Sequence, residues 1–323
     1  MDDQILYIEP DAARLLESLA SSGGVKFRDL SLAEARTAAL SMAQLDLPCA
    51  LPCATKDLLI DGLLAARLYS PDAENHGPGG PVIIYVHGGG WIMGNLEYSD
   101  ALCRHLATRS GHRVLSIDYR LAPEHPFPAA FEDVQAAGRW VGTSPRVLGG
   151  PATGVALAGD SAGGGLAAAV ALHYPDDAPV PLRALLMLYP VTDVSRTTVS
   201  YDLFKEGFLL EAADMRHFAE CYAPTSAARS DPRASPLLAQ SLDALPPTTL
   251  LTCGLDVLRD EGRAFAARLS QAGVDVAFSE ARGQLHGIAT LRGVLPSARI
   301  AVDRAIDDFV RKIDRSSALA DSN

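Results

Sequence analysis

Ser161 stands in the run Gly159-Asp160-Ser161-Ala162-Gly163, a G-x-S-x-G pattern between the apolar residues 155–158 and an alanine-rich stretch. The local reading is strand, tight turn, helix. Such a turn lifts the serine hydroxyl clear of the sheet edge, and its flanking glycines are needed because side chains there would strike neighbouring backbone. A hydroxyl near neutral pH is a weak nucleophile, so Ser161 needs a base within hydrogen-bond reach and a carboxylate to orient that base. His286, in the loop-like run Gly283-Gln284-Leu285-His286-Gly287, is the candidate base. Asp256, just past the apolar residues 248–252, is the candidate acid, with Asp260, Asp243 and Asp231 as competitors. Asp260 and Glu261 suit the N-terminus of the helix that follows, where negative charge is favoured.

Nucleophilic attack on a carbonyl also requires donors for the oxyanion that develops. His87-Gly88-Gly89-Gly90-Trp91 follows the apolar residues 82–86, and glycine-rich backbone can turn successive N–H groups toward one point. The N–H of Ala162, at the start of a helix, is a further donor. A phosphate-binding loop is the competing reading, but the chain has neither a G-x-x-x-x-G-K-[ST] nor a G-x-G-x-x-G fingerprint there.

The elements that must position these residues alternate between β-like and helical runs from Thr55 to Val310, the pattern of a mostly parallel sheet covered on both faces. Asp61-Gly62 reads as a hairpin turn, so the sheet opens with antiparallel strands. Residues 82–86, 114–117, 155–158, 184–188 and 248–252 are apolar runs suited to strands buried on both faces. Val274, Val276 and Phe278 alternate with polar or small residues as an edge strand does. Val302, Ala305, Ile306, Phe309, Val310 and Ile313 recur at helical spacing and close the fold. Residues 71–81 and 316–323 read as loop and tail.

Two segments interrupt the alternation. Before Asp46 only helical patterns occur: an apolar stripe of Leu15, Leu16 and Leu19, then Ser31 and Glu34 spaced as a capping box. Between Val194 and Pro236 there is again no strand, but Met215, Phe218, Ala219 and Tyr222 share one helical face. The economical division is cap helices at residues 1–46, core at 47–193, a cap insertion at 194–236 and core again at 237–323. Periodicity leaves two readings open: the helical pieces meet as a lid over the carboxyl ends of the strands, where open α/β sheets bind ligands, or they are unrelated additions to the core.

Of the 323 residues, 48% are hydrophobic and 21% charged, the balance of a globular protein, and the formal net charge is -11. That charge disfavours nucleic acid and anionic lipid as partners. No apolar run is long enough to cross a bilayer and the N-terminus lacks a secretory pattern, so the expected location is cytoplasmic. The odd count of five cysteines favours reduced thiols.

Taken together, the chain resembles the hormone-sensitive-lipase group of α/β-hydrolases, the bacterial carboxylesterases called family IV. The likeness rests on residues 87–91, on Asp118-Tyr119-Arg120-Leu121-Ala122-Pro123-Glu124-His125-Pro126-Phe127-Pro128-Ala129, on residues 159–164 and 256–262, and on His286-Gly287. The order serine, acid, histidine is the one these hydrolases use. The resemblance implies an α/β-hydrolase fold, a Ser161, Asp256, His286 triad, an oxyanion hole from Gly89, Gly90 and Ala162, and a helical cap. It implies short- to medium-chain esters as small-molecule substrates, no metal or organic cofactor, and a homodimer as an arrangement open to the chain. Trp91, Tyr189, Phe204, Phe208 and Leu209 are candidate pocket walls. Ile288 departs from the phenylalanine usual after His-Gly. The block at residues 119–129 reads as architectural, with an Arg120–Glu124 ion pair as its brace. Two alternatives stay open: a receptor on the same fold, and an amidase, thioesterase or lactonase using the same triad.

Overall fold

The structure is a computed structural model and describes residues 6–21, 23, 26–71, 79–195 and 198–320. Helices α1 (Pro10–Ser21) and α2 (Leu32–Ala43) precede the hairpin β1 (Cys53–Ile60) and β2 (Leu64–Pro71). There follow β3 (Gly80–Val86), α3 (Asp100–Ser110), β4 (Arg113–Ile117), α4 (Ala129–Gly142), β5 (Ala152–Asp160), α5 (Ala162–Leu172) and β6 (Leu182–Leu188). Three helices, α6 (Val199–Leu203), α7 (Ala212–Tyr222) and α8 (Ser226–Arg229), separate β6 from β7 (Thr248–Leu255). The chain ends with α9 (Arg259–Gln271), β8 (Val276–Leu285) and α10 (Ala298–Ala320). Most of the 71–81 loop lies outside the described residues, whereas the segment after Ser316 is not loose tail: α10 continues through it to Ala320.

The strands form one sheet in the order β1-β2-β4-β3-β5-β6-β7-β8, antiparallel at β1-β2 and β2-β4 and parallel thereafter. The hairpin turns at Asp61 and Gly62, whose φ values of 49° and 74° are the left-handed pair such turns demand. Every residue of β4 and β7 is buried, as expected of strands covered on both faces. Helices α3 and α10 pack on one face, and α4, α5 and α9 on the other. Eight of the eleven residues of α5 are glycine or alanine, and those from Ala162 to Ala171 are all buried, so the helix backbone lies close to the sheet. Because the six strands from β4 to β8 in the sheet order are parallel, the residues that follow β3, β5, β7 and β8 all emerge at one edge.

The N-terminal segment is stitched to the chain around β8. Glu9 N donates to Gly283 O (2.9 Å), Ser297 N and Oγ donate to Asp11, and Ser31 with Glu34 forms the capping box of α2. The strongest stitch is Asp46, which accepts from Arg292 Nε at 2.9 Å, Nη2 at 2.8 Å and backbone N at 3.2 Å. Both side chains are buried, at 4% and 2% exposure. Breaking such a pair from one side strands a charge in low dielectric, whereas replacing both partners with apolar groups does not. Asp46→Ala should therefore lower stability by about 3 kcal/mol or more in urea unfolding. Asp46→Leu combined with Arg292→Met should recover most of that loss.

Candidate active site

At the end of β5 the chain turns straight into α5, and Ser161 sits between them with φ 52° and ψ -122°. A non-glycine residue at positive φ is strained, and the strain persists only where the surroundings enforce it. Here they do. A Cβ on Gly163 would lie 2.0 Å from Val86 O, one on Gly165 2.0 Å from Val191 O, and one on Gly159 2.5 Å from Gly163 backbone. Backbone bonds hold the turn from both sides: Ser161 N donates to Leu188 O (2.8 Å) and Val191 N donates to Ser161 O (3.0 Å).

The strands that lead into Ser161 and Asp256, β5 and β7, are separated by β6, a span of about 10 Å at ordinary strand spacing. A serine and an aspartate cannot bond directly across that span, but an imidazole fits between them. His286, the first residue after β8, provides it: Ser161 Oγ and His286 Nε2 are 2.9 Å apart, and His286 Nδ1 and Asp256 Oδ2 are 2.7 Å apart. Asp256 is 1% exposed and its other oxygen accepts from Leu258 N at 3.0 Å, so its position is set by the turn into α9. The Asp256 contact places a proton on Nδ1 and leaves Nε2 free to accept from the serine. Tyr189 stands edge-on to the imidazole with ring centroids 4.8 Å apart, and its hydroxyl accepts from Ala289 N.

After β3 the chain enters His87-Gly88-Gly89-Gly90-Trp91, where Gly89 (φ 113°) and Gly90 (φ 59°) take conformations other residues resist. Gly89, Gly90, Ser161 and His286 line one cleft. Among the described residues the N–H groups of Gly89, Gly90 and Ala162 have no acceptor within the protein. Donors left unpaired beside a nucleophile are what an oxyanion needs. The loop is anchored by Asp160, 1% exposed, whose Oδ1 accepts from Gly88 N (2.8 Å) and Tyr85 hydroxyl (2.6 Å). Burial pushes the Asp160 carboxyl up, opposed by those two bonds. Tyr119 donates to His87 O (3.0 Å) and stacks on the His87 ring at 4.3 Å, while Ala122 N donates to Trp91 O (2.9 Å). The 119–129 block thus supports the 87–91 loop from outside the cleft.

Three expectations need correction. Arg120 does not pair with Glu124: it grips Asp133 on α4 and reaches Glu132, and Glu124 instead pairs with Arg36 on α2. Glu261 does not serve the start of its own helix. It is fully buried, points back to the segment after β6, and accepts from Thr192 N at 2.7 Å and Asp193 N at 3.3 Å. The pocket walls are the third correction. The cleft holds about 690 Å³ of atom-free space, counting its open mouth, and of the five candidates only Leu209 lines it. Trp91 is buried flat against Tyr222, rings 4.4 Å apart; Tyr189 backs the imidazole; Phe204 packs on Phe208 and under Arg259. The apolar walls are instead Phe27, Met42, Met93, Met215 and Phe218, with Leu209 and Leu291. Met215 and Phe218 were visible as one helical face, but nothing in their spacing says which way that face turns.

His87 is fully buried against Gly94 and Tyr119, and its Nδ1 donates to Gly88 O at 2.7 Å. Its Nε2 has no partner among the described residues, and burial pushes its pKa down to about 4. The folded protein therefore takes up this proton at lower pH than the unfolded chain, whose histidine titrates near 6.5. The stability contributed by keeping His87 neutral is fully present above about pH 6.5 and drains as pH falls toward about 4. The loss by pH 5 is about 2 kcal/mol. Urea unfolding at pH 7 and pH 5 should show that loss in the native protein and a shallower one in His87→Asn.

With this geometry in hand, the relatives are informative. The family profile described as alpha/beta hydrolase fold matches residues 83–290. "Esterase LipI" of Mycobacterium tuberculosis is 37% identical over 77% of this chain and 79% of its own length. "Ethyl acetate hydrolase" of Pseudomonas putida is 38% identical over 73% and 74% respectively. Among solved structures, a thermostable esterase from Pseudomonas putida superposes with a TM-score of 0.87 at 32% identity, covering 95% of this chain and 98% of that one. This chain belongs to the α/β-hydrolase fold family, in its hormone-sensitive-lipase group.

Proposed function

We propose that the protein is a serine carboxylesterase in which Ser161 is the nucleophile, His286 the general base and then acid, and Asp256 the group that orients and stabilises the imidazole. The observation that carries this reading is the unbroken relay of 2.9 Å and 2.7 Å contacts from Ser161 Oγ through His286 to Asp256. Ser161 Oγ attacks the ester carbonyl carbon as its proton passes to His286 Nε2. The carbonyl oxygen takes the negative charge and is met by the N–H groups of Gly89, Gly90 and Ala162. The tetrahedral species collapses, His286 gives its proton to the departing alkoxide, and the acyl group remains on Ser161. Water, deprotonated by His286, then attacks the acyl carbon; the second oxyanion collapses with cleavage of the acyl–Oγ bond, and His286 returns the proton to Ser161 Oγ as the acid leaves.

The apolar walls contributed by Phe27, Met42, Met215 and Phe218 suit an uncharged acyl or alcohol group of short to medium length. A non-catalytic receptor on the same scaffold is disfavoured by His286 standing within hydrogen-bond reach of Ser161. Five free thiols, Cys49, Cys53, Cys103, Cys221 and Cys253, support the cytoplasm as the place of action.

Treatment with a fluorophosphonate should add one phosphonyl group to the native protein by intact mass. Ser161→Ala should gain none, and His286→Ala should react far more slowly. Asp256→Asn should cut kcat on p-nitrophenyl butyrate by about 10⁴-fold with the fold intact, because the imidazole is then held in the wrong tautomer. The native enzyme should cleave p-nitrophenyl butyrate much faster than the palmitate. Equal labelling of native and Ser161→Ala protein, or a preference for palmitate, contradicts the proposal.

A further inference from the structure

The two helical pieces that flank the cleft are joined by contacts the catalytic relay does not use. The short 3₁₀ turn Phe27–Asp29, between α1 and α2, lies against α7. Arg28 backbone N donates to Asp214 Oδ1 at 3.1 Å, and its Nη1 donates to Glu211 Oε2 at 2.6 Å and Asp214 Oδ1 at 3.4 Å. Glu211 and Asp214 form the capping box at the start of α7, so Arg28 grips the point that fixes where that helix begins. The Asp214 side chain is 0% exposed and that of Arg28 is 24% exposed, which shields the charge contact from solvent.

One turn further along α7, Phe218 is 3% exposed and faces Phe27, ring centroids 6.3 Å apart. It also lies directly over the oxyanion loop: a Cβ on Gly90 would come within 2.4 Å of Phe218 Cδ2. An ester whose carbonyl oxygen is bound by the Gly89 and Gly90 N–H groups must therefore lead one of its substituents past the Phe218 ring. Phe27, Phe218, Met215 and Leu209 all line that passage.

We propose that Phe218, braced by Phe27 and held in place by the grip of Arg28 on Glu211 and Asp214, sets the upper limit on the length of the ester substituent this enzyme accepts. Phe218 is the specificity-determining residue and Arg28 a positioning residue acting through the Phe27 turn and α7. The inference rests on the esterase reading above, and its test is separable from it. The readout is the ratio of kcat/KM for p-nitrophenyl decanoate to that for p-nitrophenyl butyrate, which does not depend on how much of a variant folds. Fluorophosphonate labelling of Ser161 in each preparation reports the esterase reading independently.

Phe218→Ala should raise the decanoate-to-butyrate ratio by about tenfold or more, the scale on which a hydrophobic pocket discriminates methylene groups. Phe218→Trp should lower it, and Phe27→Ala should move it in the same direction as Phe218→Ala. Arg28→Gln should raise the ratio mainly through KM for decanoate, and Arg28→Lys should fall between Arg28→Gln and the native enzyme. A native ratio in Phe218→Ala that still labels at Ser161 overturns the proposal. A native ratio in Arg28→Gln overturns the positioning role assigned to Arg28. Absence of labelling in the native protein would defeat the esterase reading instead.

Discussion

The catalytic geometry depends on the close approach of two backbones at the start of α5. Val86 ends the strand that leads into the oxyanion loop, and its carbonyl occupies the space a Gly163 side chain would need. That contact fixes the start of α5 against the end of β3, and so sets the distance between the Ser161 hydroxyl on one segment and the N–H groups of Gly89 and Gly90 on the other. The strained backbone of Ser161 is a consequence: with Gly159, Gly163 and Gly165 each in contact with main-chain atoms, the turn has no room to relax. Preorganisation of this kind means that no reorganisation is needed as charge develops on a bound carbonyl.

Around this elbow the fold disposes of several buried carboxylates, each by a different route. Asp256 is satisfied by His286 and a backbone N–H, and in the proposed mechanism it favours the imidazolium during proton transfer. Asp160 spends its acceptors on Gly88 and Tyr85, and so becomes a tie between β3, β5 and the oxyanion loop. Glu261 lies deeper; burial lifts its carboxyl well above the usual range, with the backbone bonds from Thr192 and Asp193 working the other way. It steadies the segment after β6, whose Val191 N in turn holds Ser161 O. Burial without hydrogen bonds would make each of these groups a liability, so their backbone partners are part of the site.

Much of this was legible in the sequence because local chemistry demanded it. The elbow required glycines at 159 and 163, the hairpin required Asp61-Gly62, and the capping box required Ser31 with Glu34; each is a short-range constraint that leaves a pattern. That Ser161, His286 and Asp256 would come together was readable from their order and from the apolar runs that place them at strand ends. The cleft walls were less legible. Trp91, Tyr189, Phe204 and Phe208 have the chemistry of pocket residues, yet tertiary packing buries them elsewhere, and periodicity identifies a buried helical face without saying what it is buried against. Arg120 and Glu261 were misplaced for the same reason: their partners, Asp133 and the backbone at 192–193, are chosen by how α4 and α9 lie on the sheet, a long-range outcome. Tyr85 left a faint signal, a polar-tipped aromatic in an otherwise aliphatic strand, and its hydroxyl bonds Asp160 across to the next strand.

The central claim is that folding brings Ser161, His286 and the amide dipoles of the 87–91 loop to one point so that an acyl group passes through the serine. Rapid acid quenching of the enzyme during turnover of p-nitrophenyl butyrate, followed by peptide mass mapping, tests this most directly. The account predicts a butyryl group on the peptide containing Ser161, at its hydroxyl, which disappears once the ester is exhausted. Turnover in which the butyryl group is found on another side chain, or in which Ser161→Ala hydrolyses the ester at the native rate, would contradict it.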